Sequence, residues 1–172
     1  MLSAAALAVT VGLIAVPNVA PAYKYEGASW GNPNLRIYMA TTSGEYRTAI
    51  NQASANYSNQ TDVTLTNTTA GGPAFSAANV NNGADGYEGF TTWTAPFGRS
   101  IEAHSTANRH YLDAASLGRK KVVFIHELGH GLGLAHETKT TKLVMFTSGK
   151  TAYNHGVRSL RTDDINGINN KY

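Results

Sequence analysis

Residues 124–137, FIHELGHGLGLAHE, limit more than any other stretch what this chain of 172 residues can become. His126 and His130 are four residues apart, so on a helix they stand one turn apart on the same face and their imidazoles can converge. Glu127 follows the first histidine directly, at an angle that lets its carboxylate reach a water held between the rings without joining them as a ligand. Gly131 and Gly133 weaken the helix, and Gly133 can take a positive φ at no Cβ cost, which turns the chain back sharply. His136 can thereby return as a third ligand. Three neutral imidazoles leave a fourth tetrahedral position open to water, the arrangement of a catalytic zinc site and not of a closed structural one. The same helix must also bury a second face. Val122, Ile125, Leu128 and Leu132 recur at three or four residue steps and would lie on a sheet while the histidines look into a cleft.

His126, Glu127, His130, Gly133 and His136 reproduce without a gap the pattern His-Glu-x-x-His-x-x-Gly-x-x-His, and in this the chain resembles the metzincin metalloproteases. With 17 glycines and 6 histidines in the chain, both later positions would follow the first five by chance about once in 300. Met145, a short distance after His136, resembles the methionine turn that metzincins place beneath the ligands, with spacing similar to that of the matrixins among them. It would pack and not ligate. Residues 160–168 resemble the last matrixin helix, which carries a paired aspartate, here Asp163 and Asp164, before an apolar stripe. Thr162 would cap it and Ile165 and Ile168 anchor it. Small secreted bacterial metalloproteases such as snapalysin place a tyrosine after the methionine turn, which makes Tyr153 a candidate aid to the oxyanion, with simple packing as the alternative. The resemblance implies a metzincin-type α/β (α+β) domain: a twisted, mostly parallel sheet with an antiparallel edge strand, an active-site helix and a C-terminal helix.

The chain departs from the matrixin pattern in three places. The 172 residues hold no cysteine, so none of their side chains can occupy the metal as a thiolate, and stability must come from packing and bound metal. No His-x-Asp run lies upstream to bind a second zinc. Glu137 after the third histidine is similar to astacins, yet Thr147 stands where those carry a tyrosine.

Residues 1–22 carry no charge and are rich in Ala, Val, Leu and Ile, like the apolar region of a secretory signal peptide, with a cut expected after Ala22. Pro17, Asn18 and Pro21 keep the apolar run short of the roughly 20 residues that a membrane span needs. The remaining residues, 23–172, are about 150 in number and suit one catalytic domain. A net charge of +3 with 15% charged residues and no long basic run gives no sign of nucleic-acid binding. The expectation is an exported monomer.

Residues 35–39 alternate as a first strand; 41–43 offer a cap for an amphipathic helix through about residue 59, with Tyr46, Ile50, Ala53 and Tyr57 inward; residues 62–66 form a second strand. Strand, helix and strand make a βαβ unit with a parallel pairing. Residues 70–98 read mostly as loop, with Phe75, Val80, Tyr87, Phe90 and Trp93 as inward anchors and a short strand at 90–93. Asp85 and Glu88 could offer oxygens to Ca2+, or could be solvated loop acids. Residues 99–108 read as the last strand before the active-site helix, at the place where metzincins pair an edge strand with an extended peptide. His104 on that strand reads as a plain surface histidine. Asp113 or Ser116 can cap the active-site helix.

Together these features imply a secreted zinc endopeptidase in which His126, His130 and His136 hold Zn2+ and Glu127 is the general base. The alternative is an exported zinc-binding recognition module that does not cut. A base beside the metal is what separates the two.

Overall fold

Alternation at the first strand and a three-to-four residue apolar period in the first helix produce the βαβ unit that opens the domain. The computed structural model describes residues 23–40, 44–72 and 74–172. The signal-peptide reading of residues 1–22 and the cap expected at 41–43 lie outside them. In chain order the elements are β1 (Lys24–Tyr25), β2 (Asn34–Met39), α1 (Gly44–Gln60), β3 (Thr64–Thr68), β4 (Phe75–Val80), β5 (Gly89–Thr94), a 3-10 turn (Pro96–Gly98), β6 (Glu102–Asn108), α2 (Arg109–Leu112), α3 (Leu117–Gly131), β7 (Leu134–Ala135), α4 (Gly149–Asn154) and α5 (Thr162–Asn169). Ile37 of β2 and Tyr46, Ala49, Ile50, Ala53 and Tyr57 of α1 are buried, so the strand and the helix meet across one core.

Five strands form the main sheet in the order β3-β2-β4-β6-β5. The first four run parallel, whereas β5 pairs antiparallel with β6. The short link through the 3-10 turn explains that reversal, since parallel neighbours need a longer crossover. The expected mostly parallel sheet, antiparallel edge strand, ligand-bearing helix and C-terminal helix are therefore all present. α3 lies on one face of the sheet with Val122, Ile125, Leu128 and Leu132 completely buried, and Tyr57 of α1 donates its hydroxyl to the Ile125 carbonyl at 2.7 Å. Ser116 caps α3, its Oγ accepting the Arg119 N–H. Asp113 instead accepts the Tyr46 hydroxyl and pairs with Arg109.

Several expectations need correction. Residues 75–80 are not loop but the central strand β4, because Phe75 and Ala77 alternate inward against α3 in a stretch whose small residues hide its period. Of the five expected anchors, Phe75 is buried and stacks on Trp30 and Val80 is half-buried, whereas Tyr87, Phe90 and Trp93 are exposed; they lie on or beside β5, beyond which no strand pairs among the described residues. The strand at 102–108 is interior, held between β4 and β5, so β5 is the edge. Arg161, not Thr162, occupies the cap position of α5; the Asp164 carboxylate accepts the Arg161 N–H at 2.9 Å and closes that end. Among the described residues, no helix is long and apolar enough to cross a membrane.

Candidate metal centre

α3 carries His126 and His130 into a cleft of about 350 Å³ bounded by β5 on one side and by Thr147, Ser148 and Gly149 on the other. The helix ends at Gly131, and Gly133 takes φ = 90°, the left-handed turn that the sequence requires. The reversed chain continues as β7 and delivers His136 to the rim. All three Nε2 atoms lie 3.1 Å from one another. Nitrogens held tetrahedrally at about 2.0–2.1 Å from one zinc would be about 3.3–3.4 Å apart, so the donor set fits that ion. Among the described residues, this triad is the group of three or more ligating side chains close enough to share one ion.

The ring orientations are fixed from behind. His126 Nδ1 faces the Val144 carbonyl at 2.8 Å and His130 Nδ1 faces the Leu134 carbonyl at 2.9 Å. A carbonyl only accepts, so Nδ1 carries the proton in both rings and Nε2 keeps its lone pair for a metal. Burial, then the neighbouring His130, pushes His126 down to about 3, which keeps it neutral at moderate pH. Burial also lowers His136, helped by His130. Burial pulls His130 down too, but a hydrogen bond to Glu26 and the charges of Glu127 and Glu26 outweigh it, and its pKa is raised.

Glu127 is buried behind the triad, and burial pushes its carboxyl up to about 7, against the opposing pull of His130 and of the Thr91 hydroxyl. Thr91 comes from the edge strand: its Oγ1 lies 2.9 Å from Glu127 Oε2. Ser105 of β6 donates to the Glu127 carbonyl at 2.9 Å, and Gly89 faces the carboxylate with no room for a side chain. The Glu127 side chain is thus held by the sheet as well as by the helix.

Met145 is buried with its sulfur against Gly129 of α3, where an added Cβ would lie 2.5 Å from Sδ. The Met145 carbonyl accepts the Glu137 N–H at 2.7 Å, which ties the methionine turn to the residue after the third histidine. Asp164 braces the turn from α5, its carboxylate accepting the Val144 and Met145 N–H groups at 3.1 and 3.3 Å. The end of α3 is closed by residues far away in sequence. Trp30 donates Nε1–H to the Gly131 carbonyl at 2.8 Å, and the Tyr172 hydroxyl donates to the Leu132 carbonyl at 3.1 Å while accepting from the Trp30 N–H.

Not every candidate joins the site. The Tyr153 hydroxyl meets Ser116 Oγ at 3.0 Å, at the start of α3, ten residues and about 15 Å of helix from His126, and Arg158 stacks on its ring. These are packing and hydrogen-bond contacts at the start of α3. Asp85 accepts the Tyr87 N–H and an Asn108 amide hydrogen, and Glu88 is paired with Arg119, so neither carboxylate is presented as a calcium ligand. His104 is a surface residue between Glu102 and Ser76. Sequence reasoning missed Thr91, Ser105, Glu26 and the bracing role of Asp164, all of which act through contacts between distant elements.

Residues 35–172 match the Peptidase_M10 family, described as Matrixin. A 48-residue stretch is 42% identical to a protein of Spodoptera frugiperda ascovirus 1a described as a candidate matrix metalloproteinase; it makes up 28% of this chain, and the chain spans 12% of that relative. The structure of myroilysin is similar at a TM-score of 0.49 with 16% identity, over 66% of this chain and 54% of that one.

Proposed function

The chain belongs to the matrixin family, and on that footing we propose that it is a zinc-dependent endopeptidase, exported with residues 1–22 as its leader, that hydrolyses peptides bound in extended form along β5. The observation that carries this reading is the convergence of three histidine Nε2 atoms at 3.1 Å beside a buried carboxylate. Export is supported by the uncharged apolar run of residues 1–22, and the peptide register by the free main-chain groups of an edge strand that borders the cleft.

His126, His130 and His136 would hold the metal, with Met145 packed beneath them. When bound, zinc supplies a Lewis acid and acidifies a water toward a pKa of about 7. Glu127 takes the proton of the attacking water and passes it to the nitrogen of the leaving amine. Thr91 occupies Oε2, which leaves Oε1 as the oxygen through which the proton travels. A carboxyl balanced at about 7 in its metal-free surroundings can both accept and return a proton near neutral pH.

Glu127→Gln tests the reading directly. The variant keeps the hydrogen bonding of the site and its zinc, and cleavage of denatured casein falls by roughly 10²–10⁴-fold, the usual worth of a general base. Unchanged cleavage would mean that the base lies elsewhere. A zinc-loaded wild type that cuts no unfolded protein would return the chain to the alternative of a binding module.

A further inference from the structure

Glu26 follows β1, and β1 pairs antiparallel with β7, the strand that leads from the glycine turn to the third histidine. The Glu26 N–H donates to the Gly133 carbonyl at 3.1 Å, which pins this residue's backbone over the end of α3. Its side chain lines the cleft and is mostly buried. Oε1 lies 3.1 Å from His130 Nδ1, so His130 has a carboxylate as well as the Leu134 carbonyl behind its ring. His126 has a carbonyl alone. Oε2 is buried without a hydrogen-bond partner. A carboxylate oxygen withdrawn from water and left unpaired is costly unless a positive charge is near; Lys171 interacts with Glu26 through space without a hydrogen bond to Oε2, and a divalent ion held by the three Nε2 atoms would add a second positive charge one imidazole away.

Resting on the reading of the three histidines as zinc ligands, we propose that Glu26 is the outer carboxylate of the metal centre, holding the His130 Nδ1–H, aiming Nε2 at the ion and setting how tightly the site keeps its zinc. A carboxylate behind a ligating histidine fixes the ring and raises its basicity, and its loss typically costs about 10–100-fold in metal affinity. Glu26 is a positioning residue: it touches neither water nor substrate in this role. Through Glu26 the segment before β2 becomes part of the metal site and not a mere lead-in to β2.

Zinc affinity decides the matter without any turnover. Competition with a chromophoric chelator should show Glu26→Ala binding zinc about 10–100-fold more weakly than wild type, with Glu26→Gln between the two because its amide oxygen still accepts from Nδ1. The zinc-free forms of both variants should melt no lower than zinc-free wild type, since the His130 Nδ1–H keeps the Leu134 carbonyl when Oε1 is lost and removing the unpartnered Oε2 relieves a desolvation cost. Equal zinc affinity in wild type and Glu26→Ala overturns the proposal. So does a zinc-free Glu26→Ala that melts lower, which would make Glu26 a structural residue, and so does a Glu26→Ala that cleaves casein faster than wild type, which would make it a plug. Failure of the wild type itself to take up zinc would overturn the triad assignment, and this inference with it.

Discussion

Thr91 Oγ1 lies 2.9 Å from Glu127 Oε2 and 2.8 Å from the carbonyl of the same residue. Its single proton can serve the carboxylate when that is charged and turn to the carbonyl when the carboxylate gains a proton, so the hydroxyl tracks the protonation state of Glu127. A hydrogen bond to a charged group contributes about 1.5–3 kcal/mol. Thr91→Val should therefore lower kcat about 10–100-fold with zinc affinity unchanged, and Thr91→Ser should recover most of it. Steady-state kinetics on a fluorogenic peptide, with zinc content measured alongside, would check both. A drop confined to KM would assign Thr91 to substrate binding instead.

Gly133 has two reasons to be glycine. Its φ of 90° is strained for other residues, and an added Cβ would sit 2.1 Å from the Ala28 carbonyl. Gly133→Ala must then shift the segment that holds Trp30 and Glu26 or shift the turn to His136. Zinc-free stability should fall by about 2 kcal/mol or more, and zinc binding should weaken as well. Urea denaturation in chelator and zinc titration would measure the two losses. A variant as stable as wild type would show that the turn has room to relax.

Acid should unfold the zinc-free chain in a way that depends on Glu127. His126 is held at about 3 in the fold against 6.5 when free, so between these values the unfolded chain binds the extra proton and stability falls as pH drops. Glu127 behaves oppositely, at about 7 in the fold against 4.5 when free. Its contribution is full below 4.5 and is lost as pH rises toward 7. From pH 4.5 to 6.5 the two slopes oppose one another. Glu127→Gln removes one of them, so its stability should climb across that window more steeply than wild type, by about 1.4 kcal/mol per pH unit. Urea midpoints in chelator at several pH values would show it, and parallel curves would mean that folded Glu127 holds no extra proton there.

Asp164 should matter to the metal although it does not touch it. Its carboxylate receives the Val144 and Met145 N–H groups, and the Val144 carbonyl in turn orients His126. Asp164→Ala leaves two buried N–H groups unpartnered, which costs about 1–3 kcal/mol each. Chemical denaturation of the zinc-free variant should register that cost, and zinc should also dissociate faster from it. Normal zinc retention would uncouple the methionine turn from the ligands.

How much of this is legible in the sequence depends on the range over which each signal acts. The spacing of His126, Glu127, His130, Gly133 and His136 describes a helix end and a turn, both local, and the structure brings the three histidines together as that spacing requires. The period of Tyr46, Ile50, Ala53 and Tyr57 likewise predicts α1. β4 escapes because Ser76, Ala77 and Ala78 are small and its buried side, Phe75 and Ala77, declares itself only against α3. The edge of the sheet is misplaced for a related reason: which strand lies outermost follows from pairing order, and nothing in the composition of residues 89–108 encodes it. Thr91 reads as one threonine among several until β5 is set beside α3. Glu26 has no pattern around it at all, and its meaning comes from β1 meeting β7.

Trp30 and Tyr172 close the same turn of α3 although 142 positions separate them. During synthesis the first of these leaves the ribosome early and the second only after the ligands, the methionine turn and α5 have emerged. Contacts of such long range close late and slowly. Until then the carbonyls at the end of the ligand-bearing helix remain open to water, and the third histidine has no fixed seat. A nascent copy in which Tyr172 has not yet emerged thus carries all four site residues without the frame that aligns them, and the centre takes its shape only once the two aromatic residues meet.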